Sequence, residues 1–419
     1  MKIDYLDYPS SNKLASLLVT RCLQKVLSTN IYNNAKLNFI CVEEGISTLE
    51  VFDSESNLVC GVNSNINYTD FALPTLENSC VQSNESIVYL GCIWNCWGHF
   101  FTDGFSKVWY LLTDEYKKKY KGKVKFAISF IGNNIKNCPK PLLELYQLYG
   151  IEENDILVIT EPTKFKSIIV PDNSLFFHNG TRHFTKEYFD AIQAITDAIE
   201  PINDRKFEKI YLSRTHFTNR NADFGEKSLE NVFKRLGYTI IHPQEYNIKE
   251  QLSIFKTAKS FVSTTGSLGH NSVFCNPNTE VILLRKCYAI FDYQLVINEA
   301  RNLDVTYVDT HLTCFVNEAP NNGPFFLYRN TNFCQFIKDR FGVIVTENFS
   351  TNHYMRYMRL CLMRNDMKYR FRAPEYYFEK LRDELKNDSW KRRWLDRVSC
   401  ILPTFIVRKM VSSYFKFVR

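Results

Sequence analysis

The sequence predicts an α/β protein of two domains, and three observations predict it. The chain has 419 residues, more than one hydrophobic core usually serves, so two domains are expected. Its 45% apolar and 23% charged residues are the proportions of a folded globular chain. In the second half, short Val/Ile-rich runs alternate with helical patterns, and that alternation builds a parallel, doubly wound sheet.

From the N-terminus, the spacing predicts a helix over Lys13–Leu27 and strands at Leu37–Val42, Thr48–Phe52 and Ile87–Leu90. The aromatic-rich segment Gly91–Leu112 reads as a loop that opens a helix. A strand at Val124–Phe130 follows, then a helix over Pro141–Tyr149 closed by Gly150, and strands at Ile156–Ile159, Ser167–Pro171 and Ser174–Phe177. Thr185–Ile199 reads as a connecting helix. Pro201-Ile202-Asn203-Asp204 breaks it, and the domain boundary is placed there. The second half gives strands at Lys209–Ser213, Tyr238–Ile241, Ser260–Ser263 and Glu280–Leu284. Between them lie helices over Glu226–Leu236 and Ile248–Ala258 and a short one over Gly269–Phe274. The expected division is a first domain over 1–200, a second over 201–370, and a basic helical segment over 371–419.

Charge is segregated. The net charge is +7, and residues 389–419 carry eight Lys/Arg against one Asp, so the rest of the chain is neutral. A nucleic-acid-binding protein would carry its basic face on the folded body, so that class is excluded. The tail interleaves aromatics with cations, as in Trp390-Lys391-Arg392-Arg393-Trp394, which suits an anionic membrane surface. A helix packed back on the first domain is the alternative. The run Lys117–Lys121 reads as a solvated helix end.

The 13 cysteines are odd in number and irregular in spacing, which points to reduced thiols and not to a zinc or disulfide framework. The opening Met1-Lys2-Ile3-Asp4-Tyr5 has an acid where a signal peptide is apolar, and no run of apolar residues is long enough to span a bilayer. A cytoplasmic protein, peripheral on the inner membrane face, is expected.

Ligands of doubly wound sheets bind at the carboxyl ends of the strands, and three constellations sit there. The first, Trp94 to Phe105, holds His99 and Asp103 four apart, on one face of a helix. A carboxylate beside an imidazole fixes its tautomer and suits proton abstraction from a hydroxyl. The plainer explanation is a core histidine beside a capping acid. The second, Ser213 to Arg220, places Arg214 and Arg220 where guanidinium forks clamp phosphate oxygens, or where they are simply solvated. The third, Thr264 to Ser272, is a small-residue turn opening a helix, a place where backbone amides bind anions, or a simple capped turn. It lacks a P-loop lysine.

Together these residues resemble family 61 glycosyltransferases. The elements that carry the likeness are His99-Phe100 with Asp103, then Arg214, Arg220, Glu226 opening a helix, Gln251 and Ala258, then Gly266-Ser267-Leu268-Gly269-His270-Asn271-Ser272-Val273-Phe274. They span roughly residues 90 to 285. The chain departs at Gly225, where the family commonly has Asn, and at Thr265-Gly266-Ser267, where His-Gly-Ala is usual. The resemblance implies a GT-B-like enzyme, two Rossmann-like domains facing a cleft, that inverts the anomeric centre without an essential metal or other cofactor. It implies His99 or Asp103 as base, Arg214, Arg220 and the Ser267/Gly269 amides at the diphosphate, and Glu226, Gly266, His270 and Asn271 around the donor. The partners it implies are a nucleotide sugar and a glycan or lipid-linked saccharide acceptor. Asn/Lys/Ile-rich usage suggests surface polysaccharide synthesis of the capsule or O-antigen kind. A non-catalytic glycan- or nucleotide-binding scaffold, or another sugar-modifying enzyme on the same fold, is the competing reading.

Overall fold

Two β-sheets organise the chain. The structure is a computed structural model that describes residues 2–6, 19–43, 46–59, 80–94, 97–131, 140–157, 159–217, 223–288, 291–312 and 324–358, with Ile406 and Lys409. In chain order the strands are β1 (Lys2–Tyr5), β2 (Thr29–Asn33), β3 (Lys36–Glu43), β4 (Ile46–Phe52), β5 (Val81–Trp94), β6 (Lys125–Ile131), β7 (Ile156–Leu157), β8 (Thr163–Pro171), β9 (Leu175–His178), β10 (Thr181–Phe184), β11 (Lys209–Leu212), β12 (Asp223–Phe224), β13 (Thr239–Ile241), β14 (Ser260–Thr264), β15 (Glu280–Arg285), β16 (Asp304–Asp309) and β17 (Phe325–Phe326).

The sheet of the second half runs β1-β16-β15-β14-β11-β13 and is parallel throughout. Its inner strands are apolar on both faces, as parallel strands covered by helices must be. The helices Glu226–Arg235, Ile248–Thr257 and Asp292–Ala300 connect them. The first-half sheet runs β4-β3-β8-β5-β6-β7, with β2 on β8. Here β5 pairs parallel with β6 and β8, while β3, β4 and β2 pair antiparallel. The expectation of a Rossmann-like sheet thus meets a mixed sheet in the first half. The whole is a mixed α/β fold.

Three expectations are corrected. Residues 19–28 are not helical, and Lys13–Leu18 lie outside the described residues. The amides of Arg21 and Cys22 donate to the Glu299 carboxylate at 2.9–3.1 Å, and Arg21 and Leu23 exchange backbone bonds with Phe184. Those tertiary bonds override the helical spacing. The expected strand Ser174–Phe177 is half of a hairpin, β9–β10, whose second strand the sequence did not signal. The strand seen at Ile87–Leu90 is the middle of the 14-residue β5. The basic segment 371–419 lies outside the described residues apart from Ile406 and Lys409. Lys118 and Lys119 are exposed and paired to Asp114 and Glu115, a solvated face as expected.

The largest cluster of buried apolar side chains draws on both sheets, from Val88 and Phe101 to Phe261 and Leu283. Phe101 meets Phe274 edge to face, 5.0 Å between ring centres, which joins the first constellation to the third. Among the described residues, no helix is long and apolar enough to cross a membrane.

Candidate active site

Beyond β5 the chain makes one helical turn, Trp97–His99, then widens into a π-helical turn over Phe100–Gly104. Such wide turns recur at functional sites. Phe100, Phe101 and Phe105 anchor it in the core. The turn brings His99 Nδ1 to 2.9 Å from Asp103 Oδ2. The phenol of Tyr293 donates to the same carboxylate, 2.8 Å from each oxygen. Burial, then the Asp103 charge, pushes the Tyr293 phenol far up, so it stays a protonated donor. The Arg182 guanidinium lies 3.8 Å over the Tyr293 ring and 3.5 Å from Asp292. The Asp103 side chain is 1% exposed and that of His99 is 35% exposed.

This turn touches the third constellation. The Trp97 indole N–H donates to Asn271 Oδ1 at 3.0 Å. A Cβ at Gly98 would stand 2.7 Å from Ser267 Oγ and 2.9 Å from His270 Cδ2, so only glycine permits the approach. His270 is buried, and its Nδ1 lies 2.9 Å from Gln294 Oε1, whose amide donates to Ser272 Oγ. Burial pushes the His270 imidazole down to about 4, so the ring is neutral at physiological pH.

A cavity of about 610 Å³ opens at this contact. Trp97, Lys140 and Glu144 line it from the first half, and Arg214, Phe217, Tyr246, Ser267 and Asn271 from the second. His99 and Asp103 are not in its lining; they adjoin it through Trp97 and Gly98. Arg214 follows β11, and its Nε lies 2.7 Å from Asp223 Oδ2. Arg220 lies outside the described residues.

Glu226, expected near the donor, is 1% exposed and outside the cavity lining. Its Oε1 accepts the Arg214 amide at 3.1 Å and the Tyr211 hydroxyl at 3.4 Å, so it braces the exit of β11. Burial, and then the Asp223 charge, pushes its carboxyl up to about 8. Gly266 sits at φ +102°, and Gly269 packs against Leu283 and the Thr264 carbonyl. The expected helix opening there is a single 3₁₀ stretch, Gly269–Phe274. Within it the His270 amide bonds to the Gly266 carbonyl and the Asn271 amide to that of Leu268, just past Ser267 and Gly269, whose amides were expected at the diphosphate. Among the described residues, no group of three or more His, Cys, Asp or Glu is placed to hold a metal ion.

The structure thus sets Trp97 and Gly98, the neighbours of the His99–Asp103 pair, against Ser267, His270 and Asn271, and places Arg214 and Trp97 in the lining of one cavity. Sequence reasoning missed Tyr293 and Gln294, whose helix carries no motif.

Residues 97–282 match the family model described as glycosyltransferase 61. The chain is a glycosyltransferase with a family 61 domain. The match begins at Trp97 and ends in β15, so it takes in the turn, the arginine and the glycine bend. This class of transferase takes a nucleotide-sugar donor and a glycan acceptor. No functionally curated protein matches the chain. Among solved structures it is similar to the bacterial iron-containing dodecameric glycosyltransferase TibC from enterotoxigenic E. coli H10407, at 10% identity, over 71% of this chain and 85% of that one, with a TM-score of 0.26. At that level the likeness says nothing about this glycosyltransferase's assembly, metals or substrates.

Proposed function

We propose that this glycosyltransferase inverts the anomeric carbon, moving a sugar from a nucleotide donor onto a glycan or lipid-linked saccharide in surface polysaccharide synthesis, of the capsule or O-antigen kind. The observation that carries it is the contact of the His99–Asp103 turn with the Ser267–Asn271 bend beside a cavity that holds Arg214. One lobe brings a proton acceptor and the other a fixed cation, as a GT-B-like cleft requires.

His99 is the base and Asp103 its orienting partner. Asp103 is walled in by His99 and Tyr293, whereas His99 reaches solvent. A His99 Nδ1–H donating to Asp103 puts the accepting lone pair on Nε2. The acceptor oxygen attacks the anomeric carbon while Nε2 takes its proton. The bond from that carbon to the diphosphate oxygen breaks, and the leaving group departs with the electron pair. Arg214 meets the charge that develops there. The scheme uses no metal. The aromatic lining, Trp97, Phe217 and Tyr246, suits the flat face of a nucleobase.

Steady-state assays over a nucleotide-sugar panel test this. Nucleoside diphosphate release should depend on acceptor, and His99→Ala should cut kcat by roughly 10²–10⁴-fold. Nucleotide binding without any transfer would favour the scaffold reading instead. For the basic tail we propose contact with anionic lipid on the cytoplasmic face. A chain ending before Ser389 should stop pelleting with anionic vesicles.

A further inference from the structure

The parallel sheet ends on a row of three positions. Arg214 follows β11, Gly266 follows β14 and Lys286 follows β15, and these strands are neighbours. Two strand spacings, about 10 Å, separate the first from the third. Gly266 lies between them. We propose that Lys286 is a second cation of the donor site and meets the same diphosphate as Arg214 across the Gly266 bend. The assignment rests on the nucleotide-donor reading above.

Lys286 is 4% exposed, an unusual place for a lysine. Its ammonium stands 4.2 Å over the Phe325 ring and makes no hydrogen bond or ion pair among the described residues. The acids nearby do not neutralise it. Asp223 is taken by Arg214 at 2.7 Å. Burial and the Asp223 charge push the Glu226 carboxyl up, toward its neutral form. Burial and the Arg214 charge lower the Lys286 ammonium to about 8, so it is mostly protonated there. Two buried cations beside the Asp223 carboxylate and a Glu226 carboxyl that burial drives toward neutrality are costly to hold out of water without an anion.

Gly266 fits the same purpose. At φ +102° a side chain is strained, and its Cβ would stand 3.5 Å from Lys286 Nζ. Glycine keeps the backbone low between the two cations. A lysine kept only for packing would serve better as methionine, which fills the same space with no desolvation penalty. A diphosphate has two anionic groups for two cations; Arg214 and Ser267 line the cavity where it would lie, and Lys286 stands behind that lining, next to Gly266, the neighbour of Ser267.

The test uses the full chain, with inorganic pyrophosphate, UDP, GDP and uridine as probes in calorimetric titration and thermal melting. Lys286→Met should weaken pyrophosphate and nucleoside diphosphate binding at least tenfold and leave uridine binding unchanged. It should also raise the melting temperature of the unliganded protein, because a buried charge is gone. Lys286→Arg should keep most of the affinity, and Lys286→Gln should behave as Met does, which guards against a misfolded variant. Equal pyrophosphate affinity in wild type and Lys286→Met overturns the assignment and leaves the donor reading intact. Loss of uridine and pyrophosphate binding together in all variants overturns it as well, by showing a structural role. If the wild-type chain binds neither pyrophosphate nor any nucleoside diphosphate, the donor reading falls and takes Lys286 with it.

Discussion

The Trp97 indole N–H donates to Asn271 Oδ1 at 3.0 Å, and this bond ties the turn after β5 to the bend after β14. Asn271 is fully buried, and its own amide is spent on the Leu268 carbonyl. Trp97→Phe keeps the edge contact with Phe101 but leaves the Asn271 oxygen without that donor. The expected cost is roughly 1–3 kcal/mol of stability, with a lower kcat/KM. Chemical denaturation and transfer kinetics check it; wild-type values for both would show the bond to be idle.

Gly98→Ala tests the closeness of the same contact. The added methyl meets Ser267 Oγ at 2.7 Å, His270 Cδ2 at 2.9 Å and Ser267 Cα at 3.1 Å. Overpacking of this kind costs roughly 1–3 kcal/mol and pushes the turn off the bend, so transfer should fall with stability. Adding Ser267→Gly removes only the nearest of these clashes and should restore part of both.

Tyr293→Phe removes a donor from a buried carboxylate and leaves the ring in place. The loss should be roughly 1.5–3 kcal/mol, the range for hydrogen bonds to charged groups. Transfer should slow more than donor binding weakens, because the pair loosened is His99–Asp103 and not the cavity. A variant whose kcat is unchanged would separate Tyr293 from the chemistry.

His270 should make the fold sensitive to acid. Its folded value, about 4, lies below the unfolded 6.5. Between those values the unfolded chain binds a proton that the fold refuses, so stability falls as pH drops from 6.5 to 4 and is intact above 6.5. The full contribution is on the order of 3 kcal/mol. His270→Asn, which keeps a donor toward Gln294, should flatten urea-denaturation stability across that window.

Glu226 acts in the opposite sense. Its folded value, about 8, lies above the unfolded 4.5. Between them the fold holds a proton that the unfolded chain has released, so stability is full below pH 4.5 and declines as pH rises to 8. Asp223, Arg214 and Lys286 face it and share in the titration. Glu226→Gln should remove the decline while keeping the acceptor for the Arg214 amide. An unchanged decline would place the titration elsewhere.

Much of the second half was legible because its strands are short apolar runs bounded by helix signals, as at Phe261-Val262 and Val281–Leu284. In the first half the apolar strands, as at Leu37–Val42 and Thr48–Phe52, were legible too, but the start of β5 was not. β5 opens on Val81-Gln82-Ser83-Asn84-Glu85-Ser86, a polar stretch that pairs with β8 through backbone bonds and a Ser167–Ser86 hydroxyl bond at 2.8 Å that no periodicity announces. The His99–Asp103 pair was readable because both partners lie within one turn. Tyr293 was not, since its link to Asp103 spans 190 positions. Lys286 could have been found: it stands directly after a strand, where ligand-binding residues of such sheets belong. Glu226, the acid the motif singled out, faces inward and accepts the Arg214 amide.

β1 completes the parallel sheet from the far side of the chain, Lys2 beside Thr306 and Tyr5 beside Val308. A fragment starting at residue 201 would leave β16 with an open rim, ready to recruit a stray strand from another molecule. The parallel sheet is therefore complete only once the opening residues pair with β16, about three hundred positions later in the chain. Loop closure over that distance makes this pairing a late, slow event. Excising the parallel sheet for study requires carrying those first residues along, by fusion or circular rearrangement.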